Sequence, residues 1–189
     1  MGYQFKNKIH FVTIGYIEWR KGQDVLIEAF SLIPDELKEK CELLLVGQDS
    51  SAMAQELKVR IEKMPQISMC GKVDREKIKE ILQDTDVMIC PSREDPMPTV
   101  AAEAMAFGKP CILSDSTGTA GYIVDGENGF VFENEKVEHL TEKIIWCINN
   151  VDKIGEIGEK AKKTFDKTFS AKVFVDNFLS CVKEMIGDA

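Results

Sequence analysis

Short apolar runs alternate with longer amphipathic stretches along most of the chain. The runs are rich in Val, Ile and Leu and end in loops that contain Gly, Ser or Asp, a pattern typical of buried parallel strands. The predicted strands span residues 8–14, 42–46, 67–70, 86–90, 110–113 and 129–132. The intervening stretches carry apolar residues at helical spacing. They predict helices over 22–33, 51–63, 74–83, 98–107 and 136–150, followed by a long amphipathic tail over about 153–187.

The alternation of strands and helices predicts the fold class. Helical crossovers between parallel strands are right-handed and place helices on both faces of the sheet. We therefore predict an α/β fold, Rossmann-like, with a doubly wound parallel six-stranded sheet in three αβα layers. Ligands of such folds bind at the carboxyl ends of the strands. No repeat or Pro/Gly/Ser linker interrupts the 189 residues, which predicts a single domain over 1–189.

Composition and charge exclude several classes of function. A net charge of −8 disfavours a nucleic-acid or anionic-membrane surface, although a small phosphate ligand needs only a few local donors. No apolar run reaches the roughly 18 to 20 residues of a membrane span, and the first residues do not form a signal peptide, so a cytoplasmic protein is expected. The cysteines have no metal or redox spacing and predict buried free thiols. His10 and His139 are isolated in sequence and do not support a metal site, and no cofactor is expected.

Two acids bracket the loop and helix that follow the fourth predicted strand. Asp95 lies in the loop, and Glu103 lies on the helix that Pro98 begins. Glu103 is expected to share a face with Thr99 beside an apolar stripe that includes Phe107, so it should be half-buried and need a partner. The free N–H groups at the start of this helix could hold a phosphate. An acid beside a phosphate cradle predicts a nucleotide site.

Other strand ends give weaker signals. Lys21 stands just before a predicted helix, outside any Walker A or GxGxxG motif, where a lysine can meet a diphosphate as a point charge. Taken alone, this loop favours the interpretation that Arg20 and Lys21 are solvated surface charges. Gly47 permits close backbone approach after the second strand. The loop over 70–74, after the third strand, requires no ligand by itself.

Together these segments resemble the C-terminal, donor-binding domain of the group 1 family of retaining glycosyltransferases with the GT-B fold. The resemblance runs from roughly residue 8 to 180 and depends on the order and spacing of several motifs. They are a lysine-glycine loop at 18–22, the segment 87–95 leading to 103–110, and the segment 125–131. The family's usual independence of metals agrees with the absence of a metal motif.

The resemblance implies a role for each matching residue. Lys21 would stabilise the departing donor diphosphate, and Glu103 would hold the ribose hydroxyls. Asp95 would contact the donor sugar, with Glu94 as its rival. The backbone N–H groups of three further residues would face sugar and phosphate: Met97, Thr99 and Val100. Gly47, Lys72 and Val73 would border the nucleotide base.

The chain departs from the family pattern at several positions. Tyr16 occupies a substrate-binding position where the family commonly has a diphosphate-binding arginine, which leaves one cation fewer unless Arg20 or Arg93 reaches in. Pro98 replaces a usual glycine and has no N–H to donate. Gly121 stands where glutamate is frequent, and Asp95 stands where glutamate is usual.

The resemblance covers only the donor half of such an enzyme. We expect the chain to bind a UDP-, GDP- or ADP-linked sugar, and to need an N-terminal acceptor-binding domain for transfer. The full-length enzyme could be peripheral to a membrane. The apolar stripe of the tail, which includes Phe174 and Phe178, is attributed mainly to core packing, although a fragment could expose part of it and self-associate.

Three alternative functions remain open. The first two are a nucleotide-sugar epimerase and a phosphorylase of the same fold, although no loop singles out a lysine committed to a pyridoxal cofactor. The third is a non-catalytic nucleotide-binding or interaction domain, since fold does not fix function.

Overall fold

The computed structural model describes residues 8–186, which form a six-stranded sheet flanked by helices. The sheet order is β3-β2-β1-β4-β5-β6, and every neighbouring pair is parallel. The strands are β1 (Ile9–Ile14), β2 (Cys41–Val46), β3 (Ile67–Met69), β4 (Val87–Cys90), β5 (Cys111–Ser114) and β6 (Phe130–Phe132). The strand order reverses between β1 and β4, which is the point where doubly wound sheets bind ligands.

The helices of the described residues agree largely with the sequence pattern. They are α1 (Gln23–Ser31), α2 (Asp35–Lys38), α3 (Ala52–Ile61), α4 (Arg75–Asp84), α5 (Thr99–Ala106), α6 (Val137–Asn149), α7 (Val151–Thr168) and α8 (Ala171–Ile186). Short 3-10 turns at Trp19–Lys21 and Gly118–Tyr122 complete the chain. The sequence did not predict α2, because four residues are too few to show a helical period.

Helices cover both faces of the sheet, which confirms the predicted three-layer αβα fold. Buried side chains such as Phe11 and Ile89 face α1, α3 and α6 on one side. Val12 and Leu113 lie in the second core, with α4 and α5. The helix α7 contributes to both cores, because Ile157 belongs to the first and Ala161 to the second.

The predicted single tail is two helices. Ser170 separates α7 from α8, and its hydroxyl accepts a hydrogen bond from the N–H of Val173 at 3.4 Å, as an N-cap residue does. Phe165 and Phe169 pack against the second core as predicted. Phe174 and Phe178 do not, since they are 71% and 58% exposed. Within residues 8–186, no helix combines the length and apolarity that a membrane crossing requires.

The cysteines are free, and four of them are buried: Cys41, Cys90, Cys111 and Cys147. Burial raises the pKa of the Cys41 thiol to about 11. The predicted burial is wrong for Cys70 and Cys181, which are exposed. Cys70 follows the end of β3 and lies in a loop, and Cys181 lies on the exposed helix α8.

Candidate functional site

A lysine–aspartate ion pair lies at the point where the strand order reverses. The ammonium of Lys21, after β1, is 2.5 Å from a carboxylate oxygen of Asp95, after β4. Asp95 is only 7% exposed. Its backbone carbonyl accepts a hydrogen bond from Gly118 at 3.0 Å, so the loop after β5 also supports it. The structure therefore joins the two predicted catalytic candidates in one contact.

Glycine conformation brings the Lys21 turn against the loop after β4. Gly22 ends the 3-10 turn in the left-handed region, with φ of 67°. A Cβ atom there would lie 2.0 Å from the carbonyl oxygen of Pro91. The side chain of Lys21 passes over Gly15, where an added Cβ would meet the lysine stem at 3.9 Å. Side chains at Gly22 are therefore excluded by the close approach of two backbones.

Arg93, in the loop after β4, binds the segments that follow β1 and β6. Its guanidinium contacts both carboxylate oxygens of Asp24 at 2.9 and 2.7 Å, a carboxylate oxygen of Glu135 at 2.6 Å and the carbonyl oxygen of Trp19 at 2.6 Å. Burial raises the pKa of the Asp24 carboxyl, but the hydrogen bonds and charge of Arg93 outweigh this and lower it below its usual value. The hydrogen bonds that Arg93 donates to Asp24 in turn raise the pKa of Arg93.

These contacts decide which arginine remains available for a ligand. Arg93 is committed to Asp24, Glu135 and Trp19. The side chain of Arg20 is more accessible and contacts Glu18 at 3.2 Å and the carbonyl oxygen of Glu94 at 3.3 Å. Of the two candidates to replace the missing cation at Tyr16, Arg20 is the accessible one.

The start of α5 offers backbone donors. Among residues 8–186, no acceptor is paired with the N–H groups of Met97, Thr99 or Val100. Pro98 is the N-cap residue, so it loses no helical hydrogen bond by lacking an N–H. Asp95 lies on the loop that leads directly into this start. The predicted cradle of free amides therefore lies close in the chain to the Lys21–Asp95 pair.

Glu103 is half-buried on α5, as predicted. Its carboxylate makes no hydrogen bond or ion pair within the described part of the chain. Phe107 does not belong to the predicted apolar stripe, because α5 ends at Ala106 and Phe107, the C-cap residue, is 37% exposed. Glu103 is thus an acid without a protein partner among residues 8–186.

Three further candidates, Gly47, Lys72 and Val73, lie on the β2 and β3 side of the ion pair. Gly47 must be glycine because an added Cβ would lie 1.7 Å from the carbonyl oxygen of Gly15, so its close approach is to the neighbouring loop. The N–H of Gly47 donates to Gly71 at 2.9 Å, just before Lys72. Lys72 is exposed, and Val73 lines a cavity of about 580 Å³ between β1–β3 and α4. These contacts place the loops after β1, β2 and β3 side by side, but they do not bring Lys72 or Val73 into contact with Lys21.

Tyr16 and Glu94 are exposed at the same edge of the sheet. The Tyr16 side chain is 58% exposed, and its carbonyl accepts a hydrogen bond from the buried amide of Gln23 at 2.8 Å. The carboxylate of Glu94 faces outward, whereas that of Asp95 is buried against Lys21. Of the two rival acids, only Asp95 is in contact with Lys21.

Sequence reasoning missed the residues that support the pair. Nothing in the local sequence marks Asp24 or Glu135, since acids near a helix start are common. Their role becomes visible only in the folded chain, where Arg93 lies between them. Gln23 gave no signal either, because it stands between Gly22 and Asp24 in a polar stretch of sequence. Within residues 8–186, no group of three or more His, Cys, Asp or Glu side chains could hold a metal ion.

A Rossmann-like sheet with charged side chains and free amides at its reversal point defines a class of ligand-binding α/β protein. The family model described as "Glycosyl transferases group 1" matches residues 3–164. The chain belongs to this family.

Three relatives illustrate the similarity. An uncharacterized glycosyltransferase of Methanocaldococcus jannaschii is 30% identical over 192 residues, covering 97% of this chain and 47% of the relative. A solved glycosyltransferase of Rickettsia africae superposes with a TM-score of 0.84 at 25% identity, covering 97% of this chain and 49% of that one.

The Anabaena protein HepE, solved in complex with UDP-glucose, superposes with a TM-score of 0.82 at 21% identity, which shows the shared GT-B-type fold. The match covers 94% of this chain and 49% of HepE. The chain thus spans about half the length of these relatives.

Proposed function

We propose that this chain is the donor-binding half of a retaining GT-B glycosyltransferase and binds a nucleotide-diphosphate sugar. The observation that carries the proposal is the Lys21–Asp95 pair at the reversal point of the sheet, on the loop that leads to the free amides of α5. Membership of the group 1 family and the UDP-glucose bound by HepE support it.

The proposed chemistry depends on charge that develops on the leaving diphosphate. As the bond between sugar and phosphate weakens, negative charge grows on the phosphate oxygens. Lys21 and the amides of Met97, Thr99 and Val100 are fixed donors that would stabilise this charge. Asp95 would contact the sugar, and the unpaired carboxylate of Glu103 would accept hydrogen bonds from the ribose hydroxyls.

Transfer requires an acceptor site, which we assign to a second domain. The chain covers about half of its relatives, 47% of the Methanocaldococcus protein and 49% of HepE, which supports this assignment. We expect no transfer by this chain unless an acceptor-binding domain is supplied. Sugar transfer to an acceptor by the purified chain alone would contradict this part of the proposal.

Calorimetric titration tests the donor site. The chain is titrated with UDP, GDP and ADP and with their common sugar conjugates, in parallel with Glu103→Ala. We expect one nucleotide to bind selectively and its affinity to fall roughly tenfold in Glu103→Ala, since a charge-assisted hydrogen bond contributes about 1.5 kcal/mol. Glu56→Ala is the matched control, because Glu56 is an exposed helical acid on α3.

The outcomes separate two functions. Selective binding that Glu103→Ala weakens, and Glu56→Ala preserves, supports a donor site. Absence of binding to every nucleotide would favour a non-catalytic interaction domain. One observation favours that second candidate: Asp95 neutralises Lys21, and the nearby Tyr16 supplies no cation.

A further inference from the structure

Arg93 connects three loops at the carboxyl edge of the sheet. Its backbone N–H donates to the carbonyl of Arg20 at 2.9 Å, and its guanidinium donates to the carbonyl of Trp19 at 2.6 Å. The same guanidinium binds Asp24 at the start of α1 and Glu135 after β6. The Arg93 side chain is therefore a junction between the segments that follow β1, β4 and β6.

The guanidinium of Arg93 is nearly saturated by these contacts. Four hydrogen bonds leave at most one of its five N–H groups unused. The side chain is only 8% exposed, and its cation lies 4.9 Å from the centre of the Trp19 ring. A diphosphate could not be bound without breaking several of these interactions, so Arg93 acts through the loops that it holds.

The held loops carry the two groups of the candidate site. Trp19, which Arg93 binds through its carbonyl and its ring, belongs to the same 3-10 turn as Lys21. Arg93 also precedes Asp95 by two residues. Each contact of Arg93 with Trp19 or Arg20 thus fixes the turn of Lys21 relative to the loop of Asp95.

We infer that Arg93 is a positioning residue, which keeps the Lys21 turn against the loop after β4 so that the Lys21 ammonium and the Asp95 carboxylate stay in contact. The importance of this contact for donor binding rests on the proposed function. The contact itself does not, so the two can be tested separately.

The chemical reactivity of Lys21 reports the pair directly. An amine held against a carboxylate reacts slowly with an acylating reagent, and mass spectrometry measures the rate at each lysine of the folded chain. In Arg93→Leu we expect acylation of Lys21 to become roughly threefold to tenfold faster, because the contact between Lys21 and Asp95 is coupled to Arg93 and weakens with it. Lys58 is the internal reference, because its ammonium pairs with Asp49 at 2.6 Å in the segment that follows β2. Its acylation rate should not change.

Two further variants keep the test decisive. Asp24→Asn removes the charge of one acid that binds Arg93 while preserving the shape of the side chain. It should also accelerate Lys21 acylation, by a smaller factor than Arg93→Leu. It decides the question if Arg93→Leu does not fold. Lys143→Met is the matched control. It removes the ion pair of Lys143 with Asp125, at 2.7 Å, which does not involve Lys21, and it should leave the rate of Lys21 acylation unchanged.

A double variant separates positioning from general loosening. Asp95→Asn by itself should accelerate Lys21 acylation, because the carboxylate partner is lost. Adding Arg93→Leu to Asp95→Asn should then accelerate it little further, since no ion pair remains to be positioned. Fully multiplicative effects would overturn the inference, as would unchanged Lys21 acylation in both Arg93→Leu and Asp24→Asn.

Titration with UDP, GDP and ADP on the same variants distinguishes this inference from the proposed function. If the unaltered chain binds no nucleotide, the donor site fails while the acylation rates still decide the role of Arg93. If it binds a nucleotide and Lys21 acylation is unchanged in both Arg93→Leu and Asp24→Asn, the inference fails while the donor site stands.

Discussion

At the scale of single residues, the candidate site is defined by two charges that neutralise each other. Opposite charges at 2.5 Å and nearly buried attract strongly, so Lys21 is not a free cation awaiting an anion. A diphosphate must either displace Asp95 from Lys21 or bind to an already neutral pair. Asp95 would therefore compete with the proposed donor diphosphate for Lys21, even though it is the candidate contact for the sugar.

Neutralising Asp95 should consequently strengthen the binding of a nucleoside diphosphate. In Asp95→Asn we expect roughly threefold to tenfold higher affinity for the bare nucleoside diphosphate, because one nearby negative charge disappears. The gain from an attached sugar should shrink, since a neutral amide oxygen accepts hydrogen bonds from sugar hydroxyls less strongly than a carboxylate does. Calorimetry with the diphosphate and its sugar conjugate measures both effects.

Glu94→Gln is the matched control for this change. It removes the same charge from the neighbouring residue, whose carboxylate is exposed and does not contact Lys21. We expect less than a twofold effect on either ligand, because exposed charges are well screened. A larger effect of Glu94→Gln than of Asp95→Asn would identify Glu94 as the acid of the site.

The Asp24–Arg93 pair should make stability depend on pH. The folded-state pKa of Asp24 lies below its ordinary value of 3.8, so the stabilisation is present above that value and is lost as pH falls through the folded-state pKa. We expect Asp24→Asn to lower the free energy of unfolding by about 1–2 kcal/mol at neutral pH, as for a charge-assisted hydrogen bond. Urea denaturation should show this difference shrinking towards pH 3.

The control for this measurement is Asp35→Asn. The Asp35 side chain is 96% exposed and pairs with Lys38, so its loss should change stability by less than about 0.5 kcal/mol. An Asp24→Asn effect that persists unchanged at pH 3 would show that shape, not charge, accounts for it.

Sequence reasoning could single out candidate residues but not the contacts between them. Lys21 and Asp95 could be singled out because each follows a predicted strand, and strands that become neighbours bring their ends together. The pairing of Lys21 with Asp95 could not be predicted, since it depends on side-chain conformations across 74 residues. The same reason hid Arg93, whose partners Asp24 and Glu135 lie 69 and 42 residues away.

At the scale of elements, the site depends on how closely the loop after β1 approaches the loop after β4. The approach is possible because Gly22 has no Cβ and adopts a left-handed conformation. A side chain there would meet the Pro91 carbonyl, which is backbone and cannot rotate away. The turn of Lys21 would have to move, and the contact with Asp95 would be lost with it.

Gly22→Ala should therefore destabilise the fold and the site together. Left-handed backbone costs roughly 1–2 kcal/mol for a residue other than glycine, and the clash with Pro91 adds to this. We expect a loss of at least about 2 kcal/mol in the free energy of unfolding, measured by urea denaturation. Lys21 acylation should also become faster, because the turn shifts.

Gly121→Ala provides the matched control. An added Cβ at Gly121 meets nothing within 4 Å, and its backbone is not left-handed. We expect a change of no more than about 0.5 kcal/mol in stability and none in Lys21 acylation. Equal effects of the two substitutions would refute the argument from close approach.

The fold was predictable where periodicity and turn residues agreed. All six strands were predicted to within one residue at each end, because buried parallel strands form continuous apolar runs. The division between α7 and α8 was hidden, since the apolar spacing continues through Ser170 and only the cap contact with Val173 marks the boundary. The burial of individual tail residues depended on tertiary packing that the spacing does not encode.

At the scale of the whole molecule, α8 is the element with the least burial. Its large apolar side chains Phe174, Phe178, Leu179 and Met185 are 50–75% exposed, and Phe174 stacks on Phe178 with ring centres 6.4 Å apart. Exposed apolar patches of this kind mark interaction surfaces. In the described part of the chain, nothing packs over this face, whereas α7 buries Ile154, Ile157 and Ala161.

We therefore expect the isolated chain to self-associate through α8. Burial of two phenylalanine side chains per copy favours association, and the double change Phe174→Ser with Phe178→Ser should abolish it. Because these side chains contribute little to the core, the double change should alter the free energy of unfolding by only about 0.5 kcal/mol per site. Sedimentation velocity over a wide concentration range measures the association, and Asn177→Ser, at an exposed polar position of the same helix, should preserve it. A sedimentation coefficient independent of concentration in the unaltered chain would show that the exposed face of α8 does not bind its own copy.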